Sequence, residues 1–118
     1  MTYVLLIYRT APPTEPISDE AVKNALVGHR AVQADANERG ELHAVAQLGD
    51  PRHAITVRRG QAAHEVTDGP YIETKEWLVG FYLVDCASEA VAIERAKQIA
   101  PDHDHVVEVR PVAWRWKG

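Results

Sequence analysis

The chain has 118 residues, a formal net charge of −4 and a single cysteine, with 46% hydrophobic and 25% charged residues. This size and composition suit one globular domain, residues 1–118, with a single core. The acidic balance excludes a nucleic-acid surface, since Arg58-Arg59 with Arg115 and Lys117 is too thin to follow a phosphate track; Cys86 alone excludes an intrachain disulfide and fits a reducing, cytoplasmic setting.

Tyr3 to Arg9 reads as a strand of β-branched and aromatic residues. It is too short for a signal peptide and lacks a basic leader. The proline-rich stretch Ala11 to Pro16 ends it. Ser18 is the expected N-cap of a helix with Asp19 and Glu20 at its positive end. That helix runs to about Arg39, with Val22, Leu26, His29, Gln33 and Ala36 on one inward face. Gly40 suits the left-handed position that stops it. Leu42 to Leu48 is a second strand, and Gly49-Asp50-Pro51 a turn. Ala54 to Arg58 and Ala63 to Thr67 form a hairpin about Gly60. Leu78 to Val84 is a strongly apolar strand. Ser88 caps a second helix that buries Val91, Ala92, Ala96 and Ile99 and ends before Pro101. His105 to Val112 is the last strand. No apolar run approaches the roughly 20 residues needed to span a bilayer, so no membrane partner is expected.

The order β-α-β-β-(β)-α-β predicts an α+β fold, a ferredoxin-like split βαβ with an inserted hairpin. Two helices cover only one face of such a sheet. Yet Tyr3 to Tyr8 is apolar on both faces, the pattern of a strand covered twice. The second cover is expected from another subunit in a two-fold homodimer. Trp114-Arg115-Trp116 has the composition of an interface or cleft lining, or of an end strand packed on its own subunit.

Between the hairpin and the apolar strand lies Asp68-Gly69-Pro70-Tyr71-Ile72-Glu73-Thr74-Lys75-Glu76. A hairpin connection needs Asp-Gly and little else. Here three further acids or bases and a phenol share the turn, either as a solvated loop or as a rim for polar ligand recognition. The segment, followed by Gly80-Phe81-Tyr82-Leu83-Val84-Asp85, resembles the DGPF signature of the YCII-related family, with Tyr71 where phenylalanine is usual. The opening Tyr3 to Tyr8 and the closing Val107 to Val112 extend the resemblance over nearly the whole chain. It implies a dimeric α+β barrel, two sheets back to back. Some relatives carry a histidine on the first helix, paired with an aspartate in an Asp-Pro dipeptide after the second, as a proposed His-Asp dyad. That dipeptide here is Ala100-Pro101, with Asp102 adjacent to it but displaced.

His29 is therefore the candidate proton acceptor, with Asp68 as its orienting partner and Asp102 next in line. An imidazole titrates near neutrality, and a carboxylate on its second nitrogen would fix its tautomer. Tyr71, Lys75 and Tyr82 are the candidate substrate-binding residues. Tyr82 belongs to the core if it faces the helices and to a cavity if it faces the barrel. The opposing readings are a packed core histidine and a turn-forming aspartate. Six histidines are present, but only His103-x-His105 places two on one strand face. No zinc-type spacing, phosphate-binding glycine loop or nucleophile elbow occurs, so neither metal nor cofactor is expected. Two functions follow: cofactor-independent elimination or isomerisation of a small organic molecule by acid-base chemistry, or a non-catalytic ligand-binding or protein-interaction module.

Overall fold

The computed structural model describes residues 1–12, 15–71, 76–100 and 102–117. Its elements are β1 (Thr2–Arg9), α1 (Asp19–Glu38), β2 (Leu42–Gln47), a 3-10 turn (Pro51–His53), β3 (Ile55–Arg59), β4 (His64–Asp68), β5 (Trp77–Asp85), α2 (Glu89–Ile99) and β6 (His105–Pro111). The main sheet runs β2-β5-β1-β6, and every neighbouring pair in it is antiparallel. β3 and β4 form a separate two-stranded ribbon. This is the ferredoxin-like α+β arrangement with an inserted hairpin.

Side chains alternate along β1, with Tyr3, Leu5, Ile7 and Arg9 buried and their neighbours only half-buried. Residues that pair across an antiparallel ladder leave the sheet on the same face. Leu5 pairs with Tyr82 on one side and Val109 on the other, and Arg9 pairs with His105. These residues face the helices. The core beneath α1 and α2 includes Leu5, Tyr82, Val84, Val32, Ala36, Ala92 and Ile99.

Both helix starts are capped as the sequence predicts: Ser18 accepts from the Ala21 amide at 3.2 Å and Ser88 from the Val91 amide at 3.3 Å. α1 ends in a Schellman motif. Gly40 has φ 69, its amide bonds the Asn37 carbonyl, and the Glu41 amide reaches back to Ala36. The inward face of α1 is rotated from expectation, because Val22 and Leu26 are each 42% exposed. Ala25, Gly28 and Val32 turn inward beside His29 instead. The reason is the approach of α2. A Cβ on Gly28 would lie 1.9 Å from the Gln98 carbonyl oxygen, so the helices cross where α1 has no side chain. Small residues set this contact, and a hydrophobicity pattern does not register them.

The two-faced apolar strand is as expected. Val4, Leu6 and Tyr8 lie on the face opposite the helices, in register with Leu83, Phe81 and Leu78. Among the described residues, no helix is long and apolar enough to cross a membrane.

Candidate functional site

His29 sits on the inward side of α1, partly buried, and contacts the middle of β5. Its Nδ1 lies 2.7 Å from the Tyr82 hydroxyl, and the two rings are nearly parallel, 5.8 Å between centroids. Gln33, one turn further along α1, donates from Nε2 to the same hydroxyl at 3.1 Å. Spacing of four residues on a helix brings both side chains onto one target. A buried phenol needs hydrogen-bond partners, and here α1 supplies two. Tyr82 is wholly buried in the layer between sheet and helices, which decides between the two locations the sequence allowed it. Burial pushes its phenol above the ordinary value, so it stays protonated.

The same burial lowers the His29 pKa, and a positive charge on nearby His105 lowers it further. His105 comes from β6. Its Nδ1 lies 2.9 Å from Asp102 Oδ1, and this contact holds the Asp102 carboxyl below its usual range. Asp102 thus engages the second histidine of the site, while His29 has a neutral phenol as its partner.

The unfolded chain binds a proton on His29 near pH 6.5, whereas the folded chain resists it. Stability is therefore present above that pH and is lost as pH falls through the unfolded value towards the lower folded one. The wild-type chain should lose stability between pH 7 and 5 more steeply than His29→Gln, by up to about 1.4 kcal/mol per pH unit. Urea titrations across that range measure the difference; parallel curves would show that the imidazole folds without a proton penalty.

The turn segment lies elsewhere. Asp68 is the last residue of β4, exposed and paired with Ile55, and Gly69, at φ 99, makes the bend. Among the described residues no hydrogen bond joins Asp68 to His29. Tyr71 is exposed, with the Arg58 guanidinium 5.3 Å above its ring. It borders a groove of about 1100 Å³ together with Tyr8, Leu48, Pro51, Trp77 and Glu108. Tyr8 and Glu108 alternate with the helix-facing Ile7 and Val107, so this groove opens on the other face of the sheet. The sequence expectation put the turn and His29 in one cleft; within this chain Tyr71 and His29 stand on opposite sides of the sheet. Lys75 lies outside the described residues. Among the described residues no group of three or more histidine, cysteine or acidic side chains is placed to hold a metal ion.

Residues 1–117 match the YCII-related domain. The chain belongs to the YCII-related family. It is also similar to an uncharacterised protein of Rhizobium meliloti (strain 1021), 37% identical over 115 residues that cover 96% of this chain and 93% of the relative. Against this YCII-related scaffold, the residues that sequence reasoning left out of the site are Gln33 and His105. Gln33 was visible as a polar residue on the helix face with His29. His105 drew notice only for its spacing from His103. Its place beside His29 depends on the pairing of β6 with β1, a contact between chain ends.

Proposed function

We propose that this YCII-related protein is a cytoplasmic homodimer that carries out cofactor-independent acid-base chemistry on a small organic molecule, with His29 as the group that moves the proton. The observation that carries this reading is the 2.7 Å contact between the partly exposed His29 imidazole and the fully buried Tyr82 hydroxyl. The Tyr82 oxygen accepts from Gln33, and the roles of the hydroxyl and Nδ1 follow the ring tautomer: with the proton on Nδ1 the ring donates to the hydroxyl and presents the Nε2 lone pair, and with the proton on Nε2 the phenol donates to Nδ1. In the first tautomer Nε2 can take a proton from carbon or oxygen of a substrate and return it, while the Nδ1 contact persists. A neutral phenol raises imidazole basicity less than a carboxylate would. That agrees with a lowered pKa and leaves the base unprotonated at neutral pH. Tyr82 is sealed from solvent and acts as a positioning residue.

The dimer is supported by the uncovered sheet face, where Val4, Leu6, Phe81 and Leu83 have no helix above them. The buried thiol of Cys86 suits the reducing interior of a cell. Light scattering tests the assembly, and a clean monomer would refute it.

The catalytic reading is tested with ring-hydroxylated and enolisable compounds in deuterated water, followed by proton NMR. Deuterium incorporation or loss of a leaving group is expected, and His29→Gln should slow it by about 10²–10⁴-fold. Equal rates in the variant would remove His29 from the chemistry.

A second reading, a non-catalytic ligand-binding module, is favoured by the groove at Tyr71, Tyr8 and Trp77, which is aromatic-lined and lies away from His29. In that case Tyr71→Ala, and not His29→Gln, would abolish ligand binding.

A further inference from the structure

The chain buries two arginines, Arg9 at 9% exposure and Arg95 at 5%, and treats them differently. Arg95 is met by two carboxylates, Asp35 at 3.1 Å and Glu41 at 2.7 Å. Arg9 has none within ion-pair distance among the described residues. Its one hydrogen bond there runs from Nη2 to the Glu15 carbonyl at 2.8 Å. A guanidinium carries five N–H donors, and taking it from water without a counter-charge is costly. At 9% exposure the side chain keeps a narrow contact with solvent, through which an anion could reach it.

Arg9 pairs with His105 across the β1–β6 ladder, and both project towards the helices. His105 in turn acts electrostatically on His29. The nearby acids are engaged elsewhere. Asp102 accepts from His105 and from the Asp104 amide. Asp104 is half-exposed, with its carboxylate 3.6 Å from His103.

We propose that Arg9 and His105 form an anion subsite that receives the carboxylate of the substrate, a reading that rests on His29 as the proton-handling group. The planar guanidinium can take both oxygens of a carboxylate in a bidentate contact. His105, held through Nδ1 by Asp102, can offer its remaining ring nitrogen. The substrate class narrows to small organic acids with a removable proton or leaving group at a distance from the carboxylate.

Benzoate is the probe, measured by calorimetry and by thermal melts on the full chain. Saturable binding at millimolar concentration is expected, with a rise in melting temperature. Arg9→Met should weaken that binding by about tenfold or more, while melting at or above the wild-type temperature in anion-free buffer, since it removes a buried charge. Arg9→Lys, which keeps the charge and loses the fork, should fall between the two. His29→Gln should bind benzoate within about threefold of wild type, a small difference on the scale where tenfold is 1.4 kcal/mol. Absence of saturable benzoate binding to the wild type, or equal binding by Arg9→Met, would overturn the subsite. If His29→Gln leaves proton transfer unchanged while Arg9→Met abolishes benzoate binding, the subsite stands and the role of His29 falls.

Discussion

Gly28→Ala is expected to destabilise the fold by about 1–3 kcal/mol, because an added Cβ would lie 1.9 Å from the Gln98 backbone oxygen. That oxygen belongs to a helix backbone and cannot rotate aside as a flexible side chain would. The two helices must separate, and α1 carries His29 at the next position. The variant should therefore show two linked changes in thermal melts and in NMR of the His29 ring: a lower midpoint, and a histidine pKa closer to the ordinary value as water enters. A midpoint equal to wild type would mean that α2 shifts without cost and that the close crossing does not fix the site.

Arg95→Ala is expected to cost about 3 kcal/mol, the low end of the range for breaking a buried ion pair. Arg95 donates to Asp35 on α1, to Glu41 just before β2, and to the Asp85 carbonyl at the end of β5. One guanidinium thus ties α2 to three other parts of the fold. The low end applies because Asp35 is half-exposed and can rehydrate once its partner is gone. Arg95→Met, which keeps the aliphatic bulk, should lose less. Urea midpoints for the two variants and wild type decide this, and a wild-type midpoint in Arg95→Ala would show the cluster to be energetically idle.

The sequence was most legible where local chemistry decides structure. Ser18, Ser88 and Gly40 cap or end helices through groups within three or four residues of themselves, so their roles could be read directly. The two-faced character of β1 was equally plain from Tyr3 to Tyr8. The candidate site was less legible, because its members meet through the sheet register. Nothing local in His105 or Arg9 reveals that the β1–β6 ladder sets them side by side. The inward turn of Ala25 and Gly28 was hidden for another reason: small residues gain their place by permitting approach, and they carry little hydrophobic signal. The acidic turn drew attention by charge density. Its first residue, Asp68, ends a strand of the outlying ribbon and pairs with Ile55, and among the described residues no hydrogen bond joins it to His29.

That ribbon has a consequence for how the molecule breathes. Two strands alone are marginal in water, and β3 and β4 leave Ile55, Val57 and Val66 at 63–66% exposure. Beyond their own ladder, the ribbon's base is fastened by the Gly69 amide on the Ala54 carbonyl and by the Thr56 hydroxyl on the Gly69 carbonyl. The arm can therefore open by itself, at a free energy far below that of unfolding β1 and β5, which are hydrogen-bonded on both edges. Its amide protons would trade with solvent early, and any partner laid along its apolar side would slow that trade in proportion to its own concentration. The exchange clock of this one arm would thus report whether a partner lies along it.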